Sequence, residues 1–346
     1  MARKILWGSL ALAPLTIAAH YLLDLGDVEQ FVLASLALVP LAWLIGEATE
    51  HAAHHTGPGI GGFLNATFGN APELIISLFA INKGLTEVVR GSLTGSVVGN
   101  ILLVLGFSLL VGTGDMRLDR ESSFVWLGLI LVATVAFVLP AVPSWHGDPK
   151  RHELAVLSLP VAIALLVLYV GVTWWQLRRH RAQHETPEDD QGVWSLKTSI
   201  AALAVATFVT ALIAEILVGS IETFAEKAHL SDFFVAAVIV AIVGNAAEHG
   251  GAVVVAHRGK VRLAAEIALS SGAQVAVFLI PAVALLSWAI EPLALSFRPV
   301  ELAALAGSAI VVAAFFVDRT ARRRDGATLI LLYVGVAVAF FISGDR

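Results

Sequence analysis

GNAPE at residues 69–73 and GNAAE at residues 244–248 are the stretches whose reading decides this chain. Both lie in apolar runs. LNATF (64–68) leads into the first and LIISLFAI (74–81) follows it, while FFVAAVIVAIV (233–243) leads into the second. A carboxylate at bilayer depth costs roughly 2.5–3.5 kcal/mol on insertion scales, so an acid in such a run is a functional candidate by default. The same context returns 175 residues later, which makes Glu73 and Glu248 the paired halves of one candidate cation site. The bland alternative for each is a neutral, hydrogen-bonded carboxyl in a packed bundle.

Composition sets the solvent. The 346 residues are 58% hydrophobic and 14% charged, with a mean hydropathy of +0.83. A soluble domain carries about 25% charged residues, so lipid is the expected surrounding. The net charge of −5 says little about partners, and no basic, aromatic-interleaved surface suggests nucleic acid. With no cysteine, disulfides, thiol catalysis and thiolate-bound zinc are excluded. Met1 to Trp7, with Arg3 and Lys4, begins like a signal peptide, but the apolar run that follows is nearer a full span.

Charge, Gly and Pro divide the chain into eleven candidate spans: 5–23, 30–54, 60–83, 86–113, 122–143, 154–176, 196–226, 231–256, 263–290, 297–317 and 327–343. A cytoplasmic N-terminus puts 15 of the 22 basic residues inside, with Lys83, Arg90, Lys150, Arg151, Lys227 and Arg298 in outer loops. The polar stretch 177–195 is a cytoplasmic linker. Glu50 precedes Glu73 by 23 residues and Glu222 precedes Glu248 by 26; Ser96 and Asn100 are matched by Ser270 and Gln274 at an offset of 174. The fold expected is all-α and polytopic, with an N-terminal helix (1–29) and two five-helix repeats (30–176 and 196–346). An odd number of spans per repeat forces opposite orientations, the inverted design of alternating-access transporters with a midplane site.

Within each motif the Asn and the Glu are three residues apart and share one helix face (Asn70 with Glu73, Asn245 with Glu248). Gly69 and Gly244 allow close approach and bending. Pro72 has no N–H to donate, so a carbonyl near Phe68 should be freed for a ligand; Ala247 stands at that place in the second motif, so unwinding should be unequal. A hard cation such as calcium takes about 6–8 oxygens, which two carboxylates, two amides, carbonyls and water can supply. Two neighbouring acids in low dielectric resist ionising together and hold protons readily, so competition between a divalent cation and protons is sufficient for antiport.

The segments GEATEHAAHHTGPGIGGFLNATFGNAPELIISLFAINKG (46–84) and VGNAAEHGGAVVVAHRGKVRLAAEIALSSGAQVAVFLIPA (243–282) resemble the two signatures of the calcium/proton antiporter (cation/proton exchanger) family. The resemblance implies eleven helices, exchange of Ca2+ for H+, and Glu73 and Glu248 as the cation and proton carboxylates assisted by Asn70 and Asn245. No cofactor is implied; the partners are the two ions and the bilayer, and the fold leaves room for a homo-oligomer. The membrane is the plasma membrane in a prokaryote and vacuole-type in a eukaryote. The family's acidic stretch between helices six and seven is reduced here to Glu185, Glu188, Asp189 and Asp190 among basic residues.

Second-tier candidates follow from spacing. Glu47, Glu50, His51 and His54 share one helix face, as do Glu215, Glu222 and Glu226. Glu50 and Glu222 are candidates for an acidic entrance, with polar helix ends at the headgroups as the alternative. His249 adjoins Glu248 and is placed to tune it, or is a satisfied core histidine. Ser96, Asn100, Ser270, Ser271 and Gln274 are candidates to line the pathway, though such residues also glue membrane helices; Glu266 reads as a helix-end residue. Two rivals remain. EHAAHH (50–55) suggests an intramembrane metalloprotease, but Glu50 precedes His51 where H-E-x-x-H needs it to follow. Sodium/calcium exchangers are similar in repeat architecture but typically carry a Ser or Thr where Asn70 and Asn245 stand, which favours protons over sodium here.

Overall fold

Long apolar runs without internal water must satisfy their backbone within each segment, and here they do so as helices. The structure, a computed structural model, describes residues 2–23, 25–113, 116–180, 193–317 and 321–345. The linker residues 181–192, with Glu185, Glu188, Asp189 and Asp190, lie outside the described residues. The first half comprises α1 (Ala2–Ser9), α2 (Leu12–Leu22), α3 (Asp27–Gly69), α4 (Ala71–Asn82), α5 (Thr86–Val98), α6 (Leu105–Val111), α7 (Arg120–Ala141) and α8 (His152–His180). The second comprises α9 (Leu196–Ala228), α10 (Asp232–Phe234), α11 (Ala241–Gly244), α12 (Ala246–His257), α13 (Val261–Gln274), α14 (Ile280–Leu286), α15 (Pro299–Phe315) and α16 (Arg323–Ser343). Short π-helical segments (Gly99–Val104, Val235–Val240 and Val275–Leu279) join α5 to α6, α10 to α11 and α13 to α14. Large side chains such as Val135, Val167, Leu331 and Ile342 point outward, the surface a bilayer covers.

Among the described residues, eight helical segments are long and apolar enough to cross a membrane, and the bent pair Asp232–Gly244 with Ala246–His257 makes a ninth. The 43 residues of α3 would be about 65 Å long if straight, twice the hydrocarbon core. They are not straight. A Cβ on Gly61 would stand 2.9 Å from the Cβ of Ala53, eight residues back, which a straight helix separates by about 12 Å. The helix therefore bends sharply between them, leaving 61–69 and the short apolar α4 as a separate stretch interrupted at Asn70. With the 17-residue α15 the architecture is compatible with eleven passes.

Two contacts hold the motif helices. α3 runs along α9, with Phe31 stacked on Phe224 at 4.1 Å. α5 lies against Val235–Val240 with almost nothing between the backbones. A Cβ on Gly91 would come within 2.6 Å of the Phe233 carbonyl, and one on Gly95 would overlap the Ala237 carbonyl. The spacing Gly91, Gly95, Gly99 carries the small-xxx-small signal for such an approach. Gly95→Ala is expected to lower stability by about 1–3 kcal/mol, read as a fall in the unfolding midpoint in detergent. Gly99→Ala, which meets nothing within 4 Å, is the control; equal stability of the two variants would refute the contact.

Arg90 and Arg298 are both expected in outer loops; Arg90 lies instead within α5, Arg298 stands in the stretch just before α15, and they are 3% and 8% exposed. Carboxylates explain the difference. Glu301, fully buried, lies 3.8 Å from the Nε of each arginine and accepts the Arg298 backbone N–H. Arg90 also pairs with Glu87 and donates to the Ser296 carbonyl at 3.0 Å, while Arg298 stands over the Phe233 ring. Glu266, read as a helix-end residue, lies within α13 and accepts from Ser122 Oγ (2.6 Å) and Trp126 Nε1 (2.7 Å) of α7.

Asp119 caps α7 through the Ser122 amide and pairs with Arg262. Burial pushes its carboxyl up, but the Ser122 amide and the Arg262 guanidinium outweigh burial and hold it below the usual range. A depressed carboxyl stabilises the fold above its unfolded value and loses that contribution as pH falls through the folded value. Asp119→Asn keeps a good cap and loses the charge. The difference in unfolding midpoint between the two proteins should be present at neutral pH and vanish well below about pH 4. A difference unchanged down to acid pH would sink this account.

Candidate functional site

Each motif breaks its helix at the asparagine. Asn70 ends α3 at φ −99°, ψ 14°, and Asn245 ends α11 at φ −93°, ψ 5°. The Asn70 N–H turns to the Phe68 carbonyl, and the Asn245 N–H is shared between the carbonyls of Ala241, at 3.4 Å, and Val243. The dihedrals at the two asparagines match with proline present and absent, and the Phe68 carbonyl, expected to be freed, is engaged by Asn70. The helical segment Asp232–Gly244 meets α12 at 58°. N-x-x-E resembles a capping box, yet neither asparagine side chain caps its helix. Glu73 and Glu248 thus sit in the first turns of α4 and α12, where unpaired N–H groups favour an anion.

The two carboxylates cross over. Glu73 Oε1 lies 3.2 Å from where a Cβ on Gly244 would be, and Glu248 Oε1 lies 3.3 Å from the same point on Gly69. Each acid rests on the glycine of the other motif, which is what the absence of a side chain there permits. Glu73 is 1% exposed and, among the described residues, neither of its oxygens has a hydrogen-bond partner from another residue. Glu248, half-buried, accepts from Ser271 Oγ at 2.6 Å. Asn245 Nδ2 donates to Ser96 Oγ and to the Ala241 carbonyl, both at 2.9 Å. Asn70 is buried beside Glu73.

Other candidates are placed as follows. Asn100 is buried and donates to the Ser96 carbonyl at 3.0 Å. Ser270 donates to Ile267 on its own helix, and Gln274 is half-buried at the end of α13. The offset of 174 is corrected by this geometry. Ser96 and Ser271, 175 apart like the motifs themselves, are the hydroxyls that bond motif residues. His249 is half-buried with Nε2 enclosed and unpartnered. Glu50 and Glu222 are exposed on α3 and α9. In EHAAHH, His51 stacks on Trp194 and His55 Nε2 meets the Trp194 carbonyl at 2.7 Å.

Among the described residues no group of three or more His, Asp or Glu could hold a metal ion. A cation here would be held by two carboxylates with amide, hydroxyl and carbonyl oxygens. That donor set suits a hard ion better than zinc.

Residues 28–178 and 198–342 match the family described as sodium/calcium exchanger protein. The chain belongs to this family. Among the exchanger's relatives, the Ca2+/H+ antiporter ChaA of Bacillus subtilis (strain 168) is 39% identical over 326 residues, covering 90% of this chain and 92% of the relative. The Ca2+/H+ antiporter of Aphanothece halophytica is 34% identical over 359 residues, covering 97% and 96%. The solved structure of native YfkE superposes with a TM-score of 0.83 at 35% identity, covering 98% of the exchanger and 99% of that chain. These relatives put the exchanger in the calcium/proton antiporter branch. Sequence reasoning missed the crossing of the acids onto opposite glycines. The paired Gly–Asn steps were the available signal, but which glycine meets which acid is a tertiary fact.

Proposed function

We propose that the exchanger is a secondary active transporter, not an enzyme, that swaps Ca2+ for H+ across a membrane by alternating access. In this reading Glu73 and Glu248 bind either the cation or protons, and Asn70 and Asn245 supply further oxygens. Gly69 and Gly244 give the acids room, and Ser96, Asn100 and Ser271 line the pathway. The observation that carries it is the pair of acids seated on opposite glycines, with Glu73 buried and, among the described residues, both of its oxygens lacking a hydrogen-bond partner from another residue. A buried carboxylate without partners is costly, and a cation or a proton removes that cost. A divalent ion neutralises both acids, whereas loss of the ion invites protons; because the two cannot occupy the site together, their fluxes oppose each other. Glu50, Glu222, Ser270, Gln274 and His249 belong to the approach to the site in this reading. The N-terminus is cytoplasmic, with repeats over 30–176 and 196–346.

The test is calcium uptake into proteoliposomes driven by an imposed pH gradient without sodium. Uptake that collapses with a protonophore supports the reading. Uptake that appears only with a sodium gradient overturns the coupling ion.

A further inference from the structure

The motif residues and the two bonding serines share one offset. Gly69 and Gly244, Asn70 and Asn245, Glu73 and Glu248, and Ser96 and Ser271 are all 175 residues apart. The dihedrals at the two asparagines match, but the bonds made by the two serines do not. Both hydroxyls serve the second motif: Ser271 donates to Glu248 and Ser96 accepts from Asn245. The equivalent of the Ser271–Glu248 bond would join Ser96 to Glu73, and no such bond is made; among the described residues Glu73 keeps two enclosed oxygens without a hydrogen-bond partner from another residue. A sequence with twofold equivalence thus holds an unequal arrangement.

We infer that Ser96 and Ser271 exchange partners when the transporter changes the face to which it opens. In the opposite state Ser96 donates to Glu73 and Ser271 accepts from Asn70, so the hydroxyl that serves the carboxylate alternates between repeats. The physical reason is that inverted repeats make the two access states mirror arrangements of one set of contacts. A hydroxyl can donate to a carboxylate or accept from an amide by rotating its O–H, so the exchange needs no new groups. Each serine is therefore a positioning residue whose carboxylate role belongs to one access state. This rests on Glu73 and Glu248 being the exchange site.

The experiment compares the calcium KM at the two membrane faces, in right-side-out and everted vesicles, for Ser96→Ala and Ser271→Ala. A hydrogen bond to a charged group supports an effect of about tenfold. Each variant should raise KM by that factor at one face and by less than about twofold at the other, with the affected faces opposite for the two serines. The threonine variants, which keep the hydroxyl, should restore both values. Ser96→Cys and Ser271→Cys, close in volume but poor donors, should give the same asymmetry if an alanine variant misfolds. Equal weakening at both faces, or none at either, overturns the exchange of partners while leaving the site reading intact. Normal transport by Glu73→Gln and Glu248→Gln in the same vesicles overturns the site reading, and this inference with it.

Discussion

Glu73→Gln and Glu248→Gln each abolish calcium uptake driven by a pH gradient, with a loss of at least about a hundredfold. Glutamine has nearly the shape of glutamate, so the packing of Glu73 against Gly244 and of Glu248 against Gly69 is kept. What is lost is one negative charge and one exchangeable proton. A divalent ion in a low-dielectric site then faces a single carboxylate and is left with net charge that the interior tolerates poorly. The proton half-cycle fails for the same reason, since an amide cannot be protonated at accessible pH. Both variants should purify as folded protein, because an enclosed neutral amide costs no more than the acid it replaces. Normal uptake by either one would remove the paired-carboxylate mechanism.

Glu301→Gln is the larger stability effect. Glu301 is fully buried between Arg90 and Arg298, themselves 3% and 8% exposed. Removing its charge leaves two enclosed guanidinium groups with only Glu87 beside Arg90. Breaking a buried pair by deleting one partner costs about 3–5 kcal/mol, more than the pair itself contributes. The expected outcome is a large fall in unfolding midpoint in detergent, or failure to accumulate folded protein. Arg90→Met combined with Glu301→Leu should recover part of the loss, because replacing both charges removes the unpaired one. A midpoint within a degree of the parent for Glu301→Gln would show that water reaches this cluster.

Much of the fold was legible because membrane spans are written in composition. The apolar runs, the returning GNA and the odd span count each rest on a local rule. The sharp bend before Gly61 falls at the break read between the spans 30–54 and 60–83. The burial of Arg90 was not readable because the positive-inside rule counts charge by sequence position, and cannot see that Glu301 will meet it from about 200 residues away; for Arg298 the partner stands only three residues on. Ser96 was matched to Ser270 for a related reason. Adjacent serines are indistinguishable in a string, and only the helix face decides that Ser271 reaches Glu248 while Ser270 bonds its own helix. The free carbonyl expected of Pro72 was not found because the Asn70 N–H turns back to Phe68, a local geometry that the string does not state.

The seating of each acid on the other repeat's glycine has a genetic consequence. The two halves of this gene are not free to drift separately. A substitution that adds a side chain at position 69 acts on Glu248, and one at position 244 acts on Glu73, so damage in one half is expressed as a defect of the other. Compensation must likewise come from across the chain, by a shorter acid or a shifted helix in the opposite repeat. An ancestral half that functioned as a paired copy would have met this constraint from the start, since its own glycine then faced its twin's glutamate.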